Sequence, residues 1–124
     1  MCHVAAAMID IEKVDFVSIP TRDIAASRRF YGEVLGLPAS TTNEDEFEAG
    51  NVTLALWRPE ANGEQFAPNT AGFALRVADV ASAREQLVSA GVEFLGGTVD
   101  TGVCHMAFLL DPDGNTVILH RRYA

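Results

Sequence analysis

Residues 102–122, GVCHMAFLLDPDGNTVILHRR, form the stretch that decides the fold. Two apolar runs, residues 103–110 and 116–120, flank the tetrapeptide DPDG at positions 111–114. A type I turn favours Asp at its first position, Pro at its second and Gly at its fourth. The stretch therefore predicts a β-hairpin whose strands are joined by a four-residue loop.

Two histidines fall on this hairpin, and its pairing brings His105 near His120 with the register open by one residue. His120 is the candidate catalytic residue, since an imidazole that titrates near neutral pH can act as a general base or donate to a ligand. The alternative is a sheet histidine bonded to a neighbour. As a metal site the pair lacks a third ligand, so a cross-strand polar pair is the favoured interpretation.

The chain ahead of the hairpin indicates an internal repeat of one strand, one helix and three strands. Thr21 or Asp23 is placed to begin the first helix and Asp79 the second, and Gly36 and Gly91 are placed to end them. We interpret residues 1–124 as a single domain: module one covers about 13–58, a linker 59–69, and module two about 70–122. The copies align at 23–25 (DIA) with 79–81 (DVA), and at 50–58 (GNVTLALWR) with 114–122 (GNTVILHRR).

Alternation and helical periodicity predict the individual elements. Residues 1–12 have no clear period and are interpreted as a tail or an added edge strand. Residues 96–102 are predicted to be a loop. Outside the hairpin, strands are predicted at 14–19, 38–43, 45–49, 51–58, 71–77 and 92–95, and helices at 24–35 and 80–90.

Composition excludes several classes of protein. With 124 residues, 48% of them hydrophobic, the chain can bury one core, and no apolar run is long enough to cross a bilayer. Without a signal-peptide pattern, the expected location is the cytoplasm, and Cys2 and Cys104 are expected to be free thiols. The net charge of −8 argues against nucleic acid. It favours a cationic ligand through steering, or it only keeps the protein soluble.

The order and spacing of several motifs resemble the glyoxalase/bleomycin-resistance/extradiol-dioxygenase (vicinal oxygen chelate) superfamily. This resemblance covers residues 13–122 and implies an α+β fold of two βαβββ modules that form a half-open β-barrel around a cavity. It also implies a homodimer. The motifs are Asp23…Ser27…Phe30-Tyr31…Leu35-Gly36-Leu37, Ala90-Gly91-Val92 and Asp111-Pro112-Asp113-Gly114-Asn115.

Metal-dependent members of that superfamily place one ligand on the first strand and one on the last strand of each module. The resemblance implies that these positions are Phe16 and Leu54 in module one, and Gly72 and Ile118 in module two. None of these side chains carries the nitrogen or oxygen that such metals require. We therefore expect no metal and no cofactor, which puts glyoxalase, dioxygenase and epimerase activity in doubt.

Strand alternation predicts that residues 16, 18, 54, 56, 72, 74, 76, 118 and 120 share the concave face. Trp57 is then predicted to face away from the cavity, and Arg76 either anchors an anionic group or pairs with an acid. A mostly apolar wall with few polar groups is typical of small-molecule sites. The candidate ligand-binding residues are Phe16, Ser18, Leu54, Leu56, Arg76, His105, Ile118 and His120.

Three functions are compatible with these observations. The first is a metal-independent small-molecule-binding protein; the resemblance implies antibiotic sequestration, with a cationic or aromatic ligand. The second is a glyoxalase- or dioxygenase-like enzyme, either with relocated metal ligands or with acid–base chemistry at His120. The third is a dimeric interaction module without a ligand.

Overall fold

The structure is a computed structural model that describes residues 9–123. Cys2 and most of the predicted tail lie outside this range, and residues 9–15 contain neither helix nor strand. Cys104 is a buried free thiol, as expected. Within the described part of the chain, no helix has the length and apolar character needed to span a bilayer.

The described chain folds into two sheets with one helical segment for each. Sheet one has the order β1-β3-β2, with β1 parallel to β3, and sheet two has the order β4-β7-β6-β5, with β4 parallel to β7. The elements are β1 (Phe16–Pro20), α1 (Ile24–Arg29), a π-helical turn (Phe30–Val34), β2 (Glu46–Glu48), β3 (Thr53–Trp57), a 3₁₀ turn (Glu60–Asn62), β4 (Phe73–Arg76), α2 (Val80–Ser89), β5 (Phe94–Asp100), β6 (Cys104–Leu110) and β7 (Thr116–Arg122).

Both helices begin at the predicted aspartates. The Asp23 carboxylate accepts from the Ala26 N–H at 3.1 Å, and that of Asp79 accepts from the Ala81 N–H at 3.2 Å. The helix predicted over 24–35 is present as far as Val34, but it changes type, because the α-helix ends at Arg29 and widens into the π-helical turn. The Leu35 N–H there bonds to the Phe30 carbonyl, five residues back, at 2.8 Å.

The predicted hairpin is confirmed, but its loop is one residue longer than expected. Leu110 pairs with Thr116, which leaves residues 111–115 in the connection, and the Gly114 N–H bonds to the Asp111 carbonyl at 3.0 Å. The corresponding hairpin of sheet one pairs Glu48 with Thr53 and leaves only residues 49–52. Because of this extra residue, the strands that follow the two loops are offset by one position when the two copies of the repeat are aligned at Gly50 and Gly114.

Two predicted elements differ in the structure. The loop predicted over 96–102 is wrong, since β5 continues to Asp100 and a shift in register between Leu95 and Val99 accommodates the adjacent glycines. The strand predicted over 38–43 is reduced to a single bridge between Ala39 and Phe47. Sheet two therefore has all the predicted strands of its half, whereas sheet one has a bridge in place of one of them.

Each helical segment covers one face of its sheet, and the covered faces contribute to a common core. This is the α+β arrangement that the resemblance implies, with the two sheets left open and not closed into a barrel. The buried core consists of Ile19, Phe30, Tyr31, Phe47, Leu54, Leu56, Val80, Leu87, Ala107, Leu109, Val117 and Leu119.

Candidate functional site

The register of sheet one decides which side chains lie on its open face. Val17 pairs with Leu54 and Ile19 pairs with Leu56, so Leu54 and Leu56 point toward the helical segment. Both are buried core residues, with 1% and 6% of their surface exposed. The prediction that they share a face with Phe16 and Ser18 is therefore wrong.

The open face of sheet one has a different composition from the predicted one. Phe16 pairs with Thr53, Ser18 with Ala55, and the next residue of β3 on this face is Trp57. Trp57, which was predicted to face away from the cavity, lies on this face and is not among the residues that line the cavity. The wrong face for Leu54 and Leu56 has one cause. The two copies of the repeat were aligned at Gly50 and Gly114, whereas the hairpin loops differ by one residue.

Sheet two keeps the predicted arrangement. Ala74 pairs with Ile118 and Arg76 with His120, and these four side chains lie on the open face. The alternate residues of β4 and β7 face α2 and the core. Comparing the two registers, position 118 corresponds to Ala55 and not to Leu54.

The two registers also decide whether the chain can hold the metal that the resemblance implies. The four ligand positions become Phe16, Ala55, Gly72 and Ile118, and none of these side chains carries a donor atom. Among residues 9–123, no group of three or more His, Cys, Asp or Glu side chains is placed to hold a metal ion. The residues present do not fit that metal.

The two histidines of the hairpin lie on opposite faces of sheet two. His120 pairs with Met106, whereas His105 pairs with Arg121, so the expected proximity of the two imidazoles is wrong. The register is displaced by the one residue that the sequence left open. Consequently His105 is not part of the same surface as Arg76 and His120.

His105 belongs to a polar cluster at the edge of sheet two. Its Nε2 lies 3.5 Å from a carboxylate oxygen of Asp100, and its ring centroid lies 5.0 Å from that of Tyr123. The Tyr123 hydroxyl donates to Asp100, which lowers the pKa of that carboxyl below its ordinary 3.8 and raises the pKa of Tyr123 above 10.0. The His105 side chain thus lies against Asp100 and Tyr123 and away from the cavity.

A cavity of about 900 Å³ lies between the two halves of the chain, largely on the helical side of the sheets. It also reaches the open face of sheet two, because β4 is an edge strand with no hydrogen-bonded strand beyond it. The lining residues are Val17, Val34, Leu35, Leu37, Ala49, Asn51, Val52, Leu54, Phe73, Ala74, Leu75, Arg76, Val77, Ala83, Gln86, Leu87, Leu119 and His120.

The cavity brings together only part of the predicted ligand-binding set. Leu54, Arg76 and His120 line it. The predicted residues outside its lining are Phe16, Ser18, Leu56, His105 and Ile118.

Most of the cavity wall comes from residues that the sequence analysis did not single out as ligand-binding. Val34 and Leu37 lie at and just beyond the π-helical turn, Phe73 begins β4, and Ala83 lies on α2. All four are apolar and only partly buried, although they pack against the core. Helical and strand periodicity detects such residues, but it assigns them to the core.

Four polar side chains interrupt the apolar wall: Asn51, Gln86, Arg76 and His120. No Asp or Glu of the described residues lines the cavity, although the chain contains seventeen of them. Within residues 9–123, the Arg76 guanidinium and the His120 imidazole take part in no side-chain hydrogen bond or ion pair. Their donors are therefore available at the cavity.

Besides the cavity, the two halves meet at a set of polar side chains that hydrogen-bond one another and leave no open space. Thr21 Oγ1 and Ser27 Oγ donate to Asp113 Oδ2 at 2.6 and 3.1 Å, and the Arg22 N–H donates to Asp113 Oδ1 at 3.0 Å. Thr21 and Ser27 are fully buried. Asp113, a turn residue of the second half, thus accepts hydrogen bonds from residues at and just before the start of α1.

The same contact continues deeper into the core. The Tyr31 hydroxyl donates to Asp111 Oδ2 at 2.8 Å, and Asn115 Nδ2 donates to both Asp111 Oδ2 and the Pro20 carbonyl at 2.8 Å. Burial and the adjacent Asp111 carboxylate raise the pKa of Tyr31 well above its ordinary value. We call residues 21, 27, 31, 111, 113 and 115 the polar junction. Its saturated hydrogen bonds indicate a structural role.

Comparison with known proteins agrees with this architecture. The profile of the Glyoxalase/Bleomycin resistance protein/Dioxygenase superfamily matches residues 13–119. A curated relative, virulence protein STM3117 of Salmonella typhimurium strain LT2, is 28% identical over 93% of this chain and 87% of its own. Its crystal structure superposes with a TM-score of 0.72 at 25% identity, covering 92% of this chain and 99% of its own.

Two further solved structures share the fold. A superfamily member from Sphaerobacter thermophilus has a TM-score of 0.77 at 21% identity, covering 89% of this chain and 97% of its own. TnmS3, an antibiotic binding protein from Streptomyces sp. CB03234, has a TM-score of 0.73 at 24% identity, covering 93% and 99%. With the profile match over most of its length, the chain belongs to the glyoxalase/bleomycin resistance protein/dioxygenase superfamily.

Proposed function

From this membership of the superfamily, we propose that the chain binds a small organic molecule in the cavity between its two halves without the superfamily's metal. The observation that carries the proposal is the cavity itself, about 900 Å³ with a mainly apolar wall and four polar side chains. Sites for small organic molecules have this size and composition. The donor-free residues at the four implied metal positions support the second part of the proposal.

Sequestration of an antibiotic is the finer form of this proposal. TnmS3 has the same fold and is an antibiotic binding protein. An aromatic or similarly flat ligand suits the cavity, because Val34, Leu37 and Phe73 present apolar surface to it. Protection of a cell that expresses the chain against a panel of aromatic antibiotics measures this directly.

The binding experiment uses N-phenylnaphthylamine, a neutral aromatic dye that fluoresces in apolar surroundings, after the chain has been dialysed against EDTA. We expect one dye per chain, with the same affinity before and after addition of manganese, iron, nickel or zinc. Affinity that requires one of these ions, or one tightly held transition metal per chain in elemental analysis, contradicts the proposal.

Two variants of α2 locate the dye. Ala83→Phe places a ring in the cavity and should abolish binding, because Ala83 lines it. Ala81→Phe is the matched control, since Ala81 is an exposed residue of the same helix and is not part of the lining. Equal dye affinity in the two variants places the site elsewhere and overturns the proposal.

An enzyme without metal is the second candidate, and the exposure of one imidazole to the cavity favours it. His120 lines the cavity and makes no side-chain hydrogen bond within the described residues, so it can exchange a proton with a bound molecule. A folded His120→Ala variant that loses a measured turnover but still binds ligand supports this candidate. Unchanged turnover in that variant excludes His120 as the acid–base group.

Assembly into a homodimer is part of the same proposal. Large apolar side chains are exposed on the open face of sheet one and in the connection between β5 and β6, such as Phe16 at 56% and Val103 at 70%. A second copy that covers such surface removes it from water. Light scattering of the purified chain should give twice the mass of 13.3 kDa, and a monomer at micromolar concentration contradicts the expectation.

A further inference from the structure

We infer that the ligand of the cavity is an organic anion, whose charged group lies between Arg76 and His120 and whose apolar body fills the cavity. This inference rests on the proposed function and adds the chemical class of the ligand. It reverses the expectation that the net charge of −8 gives, namely a cationic ligand.

The local charge around the cavity has the opposite sign to the charge of the whole chain. No carboxylate of the described residues lines the cavity, and its one permanently charged side chain is Arg76. Arg76 and His120 are register partners on neighbouring strands, so their side chains lie side by side on one face. An apolar body and a positive end thus meet in one continuous space.

A basic groove continues from this end of the cavity. A smaller space of about 260 Å³ is lined by Arg76, His120, Arg121 and Arg122. Three of the nine Lys and Arg residues of the chain therefore meet at the end of β7. None of these three arginines takes part in an ion pair within residues 9–123, in contrast with Arg28, which pairs with Asp45 at 2.6 Å.

The cavity lining favours an anion, whereas the net charge of the chain favours a cation. The distance over which charges act decides which preference prevails. At physiological ionic strength, screening reduces the field of an exposed carboxylate beyond about 8 Å. A carboxylate, sulfonate or phosphate at the cavity instead touches a guanidinium and an imidazole N–H directly, and such charge-assisted hydrogen bonds are strong. Contact with Arg76 and His120 therefore outweighs the attraction of carboxylates that do not line the cavity.

The experiment compares three naphthalene compounds that differ in charge: anilinonaphthalene sulfonate, neutral N-phenylnaphthylamine and a naphthyltrimethylammonium ion. We expect the sulfonate to bind about tenfold more tightly than the neutral dye, the gain from one charge-assisted hydrogen bond. The ammonium ion should compete more weakly than either. Wild-type chain that prefers the neutral dye or the cation overturns the inference.

Substitutions identify the anchor. Arg76→Gln should remove most of the roughly tenfold sulfonate preference, and His120→Gln a smaller part of it, and both should leave the affinity for the neutral dye unchanged. Arg58→Gln is the matched control, because Arg58 is exposed and lines neither space. Circular dichroism and Trp57 fluorescence establish that each variant is folded. A sulfonate preference that survives both cavity substitutions overturns the inference.

The outcomes separate this inference from the proposal on which it rests. If the neutral dye binds and the sulfonate binds no better, the cavity remains a small-molecule site and only the anionic class of ligand is wrong. If none of the three compounds binds, the proposed function fails and the inference fails with it.

Discussion

The two halves of this chain meet at two places that differ in their side chains: the polar junction is made of hydrogen-bonded polar residues, and the cavity wall is mainly apolar. In the junction, buried Tyr31, Asp111 and Asn115 satisfy one another through bonds of 2.8 Å. In the cavity, apolar side chains such as Val34 and Leu37 remain partly exposed, and Arg76 and His120 have no side-chain partner within residues 9–123.

The difference separates the part of the molecule that fixes the fold from the part that is free to bind. A buried carboxylate whose two oxygens already accept hydrogen bonds gains nothing from a ligand. The loss of one of its partners costs the full free-energy penalty of an unpaired buried polar group. Partly buried apolar surface gains when a ligand covers it. Substitutions in the junction should therefore change stability, and substitutions in the cavity should change affinity.

The largest effect is expected for Asp111→Ala in the junction. The substitution removes the acceptor of the Tyr31 hydroxyl and of the Asn115 and Asp113 N–H groups. We expect a loss on the order of 3 kcal/mol in the free energy of unfolding, measured by urea denaturation. Asp15→Ala, at an exposed residue paired with Lys13 at 4.0 Å, should cost less than about 0.5 kcal/mol. Equal losses in the two variants contradict a structural junction.

The next effect is a loss of stability at alkaline pH that depends on Tyr31. The folded chain holds the Tyr31 proton more tightly than the unfolded chain, whose tyrosine ionises near the ordinary 10.0. Stability is therefore complete below pH 10 and falls above it, by up to about 1.4 kcal/mol for each pH unit. Tyr31→Phe should reduce this slope, as measured by denaturant unfolding between pH 8 and 11. Tyr123→Phe removes the other tyrosine whose pKa is raised, but it should reduce the slope less because that side chain is exposed. An unchanged slope in Tyr31→Phe contradicts the assignment.

A small change in stability, well below that of Asp111→Ala, is expected for Ala83→Phe in the cavity. Because the new ring enters space that is already open, the free energy of unfolding should change by less than about 1 kcal/mol. Its melting temperature should nevertheless stop responding to added dye, whereas that of Asp111→Ala should still rise by mass action. A variant that loses stability and ligand response in equal measure removes the distinction between the two contacts.

The sequence predicted the parts of the fold that local chemistry determines. The DPDG turn, the capping residues Asp23 and Asp79 and the alternation of the hairpin strands each act over a few residues. The register of sheet one was missed because an extra residue in the loop 111–115 shifts the repeat. Strand β5 was underestimated because Gly96 and Gly97 resemble a loop, whereas a bulge accommodates them.

The cavity could be predicted only in part. Arg76 and His120 were found because both lie on regular strands and pair as neighbours. Val34, Leu37 and Ala83 were missed as ligand-binding residues, since their meeting depends on how the two halves sit against each other. That placement involves bonds such as the one from Asn115 to the Pro20 carbonyl, between residues far apart in the sequence.

The most direct test of the central claim is a crystal structure of the chain with anilinonaphthalene sulfonate. We expect the aromatic rings to lie among Val34, Leu37 and Phe73, with the sulfonate at Arg76 and His120. Dye bound on the open face of sheet one, beside Phe16 and away from the cavity, would contradict it, as would dye held by a metal ion.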